Sequence, residues 1–202
     1  MPTHLLVILG HPVADSLCGH LAAAYADGAR GAGAQVRMLE LGQLRFDPLL
    51  HAGYQREQPL EPDLVAAQEA IRWAQHIVWV YPIWWGGMPA LLKGFFDRVF
   101  LPGYAFRYRP GSRLWDRLLA GRSAELLVTM DSPPWYFRWI TRMPGHQQMK
   151  RAILEFSGIR PVRVRSLGPV IGSSAGGMEL RVACSRAAEE ESPKAHTEPS
   201  PR

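Results

Sequence analysis

Four places along the 202-residue chain carry residue types and spacings suited to chemistry. The first is Pro82-Ile83-Trp84-Trp85-Gly86-Gly87, where two large aromatic side chains meet two glycines whose backbone can turn sharply and come close to a ligand. The second is Gly10-His11-Pro12-Val13-Ala14-Asp15-Ser16-Leu17-Cys18, a polar turn ahead of an apolar helical run. Free amides and the positive end of a helix dipole converge at such a point, which suits a phosphate. Asp15 or Ser16 could equally be a plain N-cap, and the residues alone favour that reading. The third is Thr129-Met130-Asp131, which runs into Ser132-Pro133-Pro134 and the aromatic cluster Trp135, Tyr136, Phe137 and Trp139. That cluster suits either an interface or a wall over an aromatic ligand. The fourth is His146, whose imidazole has an ordinary pKa near neutrality, the range of a proton donor. Standing just ahead of a helix, His146 also reads as an ordinary N-terminal loop residue. Cys18 and Cys184 lie far apart and make no metal or redox spacing, so no metal site and no disulfide framework are expected.

Each of these places follows or precedes an element that would hold it. His4–Leu9 is apolar throughout and reads as a strand buried on both faces. Leu17, Leu21, Ala24 and Tyr25 then share one face of a helix that Gly31 and Gly33 end. Residues 34–41 alternate and suit a strand nearer an edge. Residues 42–62 carry three prolines and form a long loop, of the length that tends to be functional or interfacial. A helix starting at Glu61-Pro62-Asp63 leads into His76–Tyr81, a second, mostly apolar strand. Pro89 sits at a helix first turn, and Leu92, Phe95, Phe96 and Val99 follow at helical spacing. Residues 124–130 and 160–167 complete five strands, with a helix from about Gln147 to Phe156 between them and a last helix over 177–190. Residues 131–139 read as an exposed loop. Five strands alternating with helices imply a parallel sheet covered on both faces, with ligands at the carboxyl ends of its strands.

The run from Tyr81 to Phe100, YPIWWGGMPALLKGFFDRVF, resembles the signature of the flavodoxin-like NAD(P)H:quinone oxidoreductases. Gly103-Tyr104-Ala105-Phe106-Arg107-Tyr108 resembles the segment with which that family lines the neighbouring subunit's active site. The resemblance implies an α/β flavodoxin-like three-layer sandwich with a five-stranded parallel sheet in the order 2-1-3-4-5. It implies one domain over residues 1–190, and the polar, proline-rich residues 191–202 read as a disordered tail. It further implies FAD or FMN as resident cofactor, NAD(P)H as co-substrate, a quinone or related aromatic acceptor, and a homodimer with active sites at the interface. By the same resemblance Pro82, Ile83, Trp84, Trp85 and Gly86 wrap the flavin ring, and His11, Ser16, Leu17 and Cys18 hold its phosphates. Thr129, Met130 and Asp131 take the ring's pyrimidine edge, although Ser-Pro-Pro-Trp replaces the family's Gly-Gly pair. Tyr108 closes the pocket from the second subunit, beside Phe106 where relatives carry a tyrosine. Tyr136 and His146 stand for the family's tyrosine and histidine near the flavin.

Bulk properties narrow the alternatives. A net charge of +5, carried mostly by scattered arginines, favours phosphate-bearing cofactors over nucleic acid, since no dense basic block appears. No Walker loop or dinucleotide glycine fingerprint follows the first strand. No apolar run is long enough to cross a bilayer and no cleavable leader is evident, so a cytoplasmic location is the expectation. Two rivals remain. One is an ancillary flavoprotein that regulates a membrane potassium-efflux system, as some relatives do. The other is a one-electron flavodoxin carrier, which the basic charge disfavours.

Overall fold

The structure is a computed structural model that describes residues 3–170. Its centre is a five-stranded parallel sheet built from β1 (His4–Leu9), β2 (Gln35–Glu40), β3 (His76–Pro82), β6 (Ser123–Thr129) and β7 (Val162–Leu167). The spatial order is β2-β1-β3-β6-β7, the flavodoxin-like 2-1-3-4-5 arrangement once a small separate hairpin is set aside. That hairpin pairs β4 (Phe106–Tyr108) with β5 (Trp115–Arg117). Residues 1–2 and the expected helix and tail beyond residue 170 lie outside the described residues.

The apolar strands explain the layering. Alternate residues of one strand face opposite sides of the sheet, and both sides are covered. Leu5, Val7, Leu9, Val78, Val80 and Leu127 pack under helix α1 (Leu17–Gly31) through Leu21, Ala22, Tyr25 and Ala29. Leu6, Ile8, Ile77, Trp79, Leu126 and Val128 face the other way, against α2 (Pro62–Trp73), α3 (Ala90–Val99) and the helical segment near residue 150. Trp79 is the hub of this second face, with the rings of Phe95, Phe96 and Phe100 at 6.4, 4.8 and 6.3 Å. The aromatic spacing legible in α3 is therefore used to seat the helix on the central strand.

Arg98 does a different job. Its side chain is fully buried, yet it bonds the Asp47 carbonyl, the Pro59 carbonyl (2.9 Å) and both oxygens of Glu61 (3.2 and 2.8 Å). One guanidinium thus ties both ends of the long 44–61 segment to α3. The planar fork with several donors is what lets a single side chain meet two carbonyls and a carboxylate.

The β4–β5 hairpin is an element the sequence does not announce; it is held by Arg107 and Arg109 on Asp116 and by Trp115 stacked on Phe156 at 4.6 Å. Its strands have three residues each, too short for a periodicity to show. The loop expected over 131–139 contains a short helix, α4 (Pro134–Trp139), opened by the proline pair that punctuates the sequence. The helix expected from Gln147 begins earlier, as α5 (Pro144–Gln147), and widens to a π-helical stretch over Gln148–Glu155. No feature of the sequence marks that widening.

Candidate functional site

The loops after β1, β3 and β6 converge at the carboxyl edge of the sheet, each tied to another by a specific contact. After β3 the chain forms a tight turn in which Trp84 and Gly87 exchange backbone hydrogen bonds at 2.9 and 3.0 Å. The two tip residues both have positive φ, 52° at Trp85 and 78° at Gly86, which makes the turn type I′. Glycine suits its position. A tryptophan in the left-handed region is an outlier that the surrounding structure must impose. Nothing in the fold buries its indole, which is 104% exposed, while Trp84 is 45% exposed.

The turn's amides are partly spoken for. Ile83 donates to the Thr129 carbonyl at 2.8 Å, and Trp84 donates to Gly87. Few amides of the Pro82–Gly86 stretch are therefore open to a ligand. Proline has no N–H, and two of the remaining four amides are used to join β3 to β6 and to close the turn. The N–H groups of Trp85 and Gly86 at the tip are those left for a ligand, with no backbone acceptor among the described residues. The Gly86 carbonyl accepts from the Gly145 amide at 2.9 Å, so the start of α5 is latched onto the same turn.

The loop after β1 reaches the turn through His11. Its ring packs edge-on against Trp84, with centroids 5.5 Å apart, while Nδ1 lies 2.9 Å from the Val13 carbonyl oxygen and 3.0 Å from its amide nitrogen. Ser16 is the N-cap of α1: its Oγ accepts from Gly19 N (3.2 Å) and donates to the Val13 carbonyl (2.8 Å). Gly19 is indispensable there, because a Cβ would sit 1.8 Å from the Ala14 carbonyl oxygen that folds over the helix start. The amides of Leu17 and Cys18 head the helix, where N–H groups have no intrahelical acceptor. Asp15 does not crowd them. Its exposed carboxylate turns to His20, 3.3 Å away.

Cys18 and the loop after β6 spend their side chains on bonds within the fold. The Cys18 side chain is buried, with Sγ 3.3 Å from Thr129 Oγ1. Burial pushes its thiol up to about 11, with the Thr129 hydrogen bond opposing, so the thiol is inert and only the backbone faces the helix mouth. The same contact uses the Thr129 hydroxyl. Met130 N donates to the Leu167 carbonyl (3.0 Å), and the Met130 carbonyl accepts from Val170 N (3.2 Å). Thr129 and Met130 thus bind β6 to its neighbours, and of the three residues expected at a ring edge only the exposed Asp131 is uncommitted by these bonds.

The three candidate catalytic residues are not brought together. His146 is buried, its Nε2 2.8 Å from Ser166 Oγ and its ring edge-on to Phe137 at 5.1 Å. Burial lowers its pKa, which keeps the ring neutral at pH 7, and Nδ1 has no partner among the described residues. Tyr136 points away from His146, edge-on to Trp135 at 6.0 Å and exposed. The neighbouring residue Phe137 takes its place because a helix turns successive side chains by about 100°. His146 lines a cleft of about 410 Å³ with Met130, Phe137, Met143, Lys150 and Arg151. Tyr108 belongs to a second, more apolar cleft of about 480 Å³ with Phe96, Phe100, Phe106, Ile153 and Phe156. Among the described residues no cluster of His, Cys, Asp or Glu could hold a metal ion, and no helix is long and apolar enough to cross a membrane.

Residues 3–194 match the Flavodoxin_2 family, described by its flavodoxin-like fold. The chain is 36% identical over 120 residues to the glutathione-regulated potassium-efflux system ancillary protein KefF of Enterobacter sp. (strain 638), covering 59% of this chain and 64% of that one. It is 28% identical over 123 residues to NAD(P)H dehydrogenase [quinone] 1 of Cavia porcellus, covering 51% and 45%. Across such curated relatives the matched segments span less than two thirds of the relatives' own length. The solved structure of the NAD(P)H:quinone oxidoreductase from Methanothermobacter marburgensis superposes with a TM-score of 0.79 at 23% identity, over 95% of this chain and 99% of that one.

Proposed function

The chain belongs to the Flavodoxin_2 family of flavodoxin-like fold, and on that premise we propose that it is a flavin-dependent NAD(P)H oxidoreductase reducing quinones or related aromatic acceptors. The observation that carries this reading is the Trp84–Gly87 turn. A tryptophan held in the left-handed region, fully exposed, with two uncommitted amides at the tip, is a costly arrangement that packing does not explain. A planar ring lying on that tip would explain it, gaining both an aromatic face and two donors.

The residues present fit a flavin, either FMN or FAD. The N-terminus of α1 offers the amides of Leu17 and Cys18 with the positive end of the helix dipole to a phosphate, and His11 stands beside them. His11 against Trp84 joins that phosphate corner to the ring corner, so the two are held at a fixed separation. When bound, the flavin supplies the two-electron hydride chemistry. The chain's own part is positional: the Trp85 and Gly86 amides favour negative charge at the edge they face, and the turn's aromatic surface excludes water. His146, neutral and bonded to Ser166, orients the α5 segment that latches the turn; we assign it no proton transfer. The other wall of the pocket comes from a second copy, through Phe106 and Tyr108 on their separate apolar cleft. This makes the active unit a homodimer.

An absorbance spectrum of the purified protein followed by anaerobic addition of NADPH or NADH tests the reading. The expected result is a flavin band that bleaches in one two-electron step and returns on adding a quinone. Bound flavin that neither nucleotide bleaches would overturn the enzyme reading and favour an ancillary, regulatory flavoprotein, the role named for the Enterobacter relative.

A further inference from the structure

Helix α4 is turned inside out. Its aromatic content should face the core, yet only Phe137 does so, against His146. Trp135, Tyr136, Trp139 and Ile140, at the i, i+1, i+4 and i+5 spacing that shares one helix face, all point to solvent. Trp135 is 62% exposed, Trp139 71% and Ile140 60%. An exposed apolar surface of this size on one short segment marks a place that something covers.

The surrounding charges say what. Between Asp131 and Glu155 the chain has no acidic residue and four basic ones, Arg138, Arg142, Lys150 and Arg151. Tryptophan and tyrosine are the side chains that settle at the headgroup level of a bilayer, and lysine and arginine are those that anionic headgroups attract. We propose that α4 and the residues following it form a docking surface for an anionic lipid bilayer, into whose interface Trp135, Trp139 and Ile140 insert. A second copy of the chain is the less suitable occupant, since the apolar cleft of Phe106, Tyr108 and Phe156 already offers a separate face for it and copies sharing this basic segment would repel. The docking itself does not depend on the oxidoreductase reading, because vesicle binding is measured without turnover.

The test is sedimentation of the full-length, flavin-reconstituted protein with sucrose-loaded vesicles of phosphatidylcholine alone and of phosphatidylcholine with phosphatidylglycerol. Binding is expected to the second kind, weakening as salt shortens the range of the charge interaction. Trp139→Ser with Ile140→Ser should lower the partition coefficient at least about tenfold, the loss of one well-buried apolar side chain or more. Arg142→Gln should lower it about fivefold, the share of one cation at such a surface. Both variants should keep the melting temperature and turnover with a water-soluble acceptor, since neither alters the turn or α1. The proposal is overturned by equal binding to both vesicle kinds, by variants that bind as well as the wild type, or by binding to native membranes but not to protein-free vesicles. A Trp139→Ser, Ile140→Ser variant that turns a dimer into a monomer also overturns it, by showing that a second copy covers the face.

Discussion

Replacing Trp85 by glycine separates what the turn costs from what it does. Trp85 sits at φ 52°, a conformation that costs an L-residue about 1–2 kcal/mol. Glycine removes that cost but gives the unfolded chain about 0.5–1 kcal/mol of extra freedom. The indole is fully exposed, so no burial is lost. The net expectation for Trp85→Gly is a protein between unchanged and about 1.5 kcal/mol more stable, a rise of no more than about 3–6 °C in Tm. Affinity for flavin should move the other way. An aromatic stacking partner contributes about 0.5–1.5 kcal/mol beyond its buried area, so losing it should weaken Kd by about twofold to tenfold from stacking alone. Stability is read by chemical denaturation of flavin-free protein, where ligand linkage cannot mask the change, and affinity by quenching of flavin fluorescence. Trp85→Asn, which tolerates the left-handed region, should match the glycine variant in both. A variant that loses more than about 1 kcal/mol of stability while binding flavin normally would refute the reasoning and make Trp85 a structural residue.

Arg98→Met should cost about 3–5 kcal/mol, because it strands the Glu61 carboxylate and two loop carbonyls that one buried fork now satisfies; the urea midpoint should fall, and trypsin should gain access to Arg45 and Arg56. Burial, helped by the charge of Arg163, pulls the His76 imidazole down to about 4 from an ordinary 6.5. Between those values the unfolded chain takes up a proton that the folded one refuses, so stability should be complete above pH 6.5 and fall by about 3 kcal/mol on approaching pH 4. His76→Asn should flatten that part of the pH–stability curve measured by urea titration. In a Cys184→Ser background, native protein should resist iodoacetamide at pH 8, and unfolding in guanidinium should release one reactive thiol; alkylation of the native chain would contradict the buried Cys18–Thr129 contact.

The strands and the two-sided core were legible because β1 and β3 are apolar without a break, and such runs occur only where both faces of a sheet are covered. The place of the site was legible for the same reason, since ligands gather at the carboxyl ends of such strands. The assignment of individual groups was not. Residue type does not reveal that Ile83 N–H serves the neighbouring strand, that the Thr129 hydroxyl serves a thiol, or that His146 meets Phe137 in place of Tyr136. These are choices among equally capable partners, and only the register of β3 on β6 and the phase of α4 decide them. Gly19 was missed because its requirement is a single close approach to the Ala14 carbonyl, which has no periodicity. Arg98 was missed because a buried arginine looks like any surface cation until the loop it holds is folded.

The same contrast bears on how the site keeps its shape. Each ligand-facing loop is tied by groups that a flavin-binding reading would have assigned to the ligand: Thr129 to Cys18 and Ile83, Ser16 to Val13 and Gly19, Gly86 to Gly145. These bonds consume donors, and in return they fix the positions of the few that remain, the tip amides of Trp85 and Gly86 and the head of α1. Donors fixed before the ligand arrives lose little entropy on binding, so a small number of them can suffice. A loop with all its amides free would have more donors and a weaker site. The altered Ser132-Pro133-Pro134 segment fits this logic: with Met130 already bonded to Leu167 and Val170, a ring edge in the proposed flavin site would rely on the Trp84–Gly87 turn, where the fold has placed its strained residue.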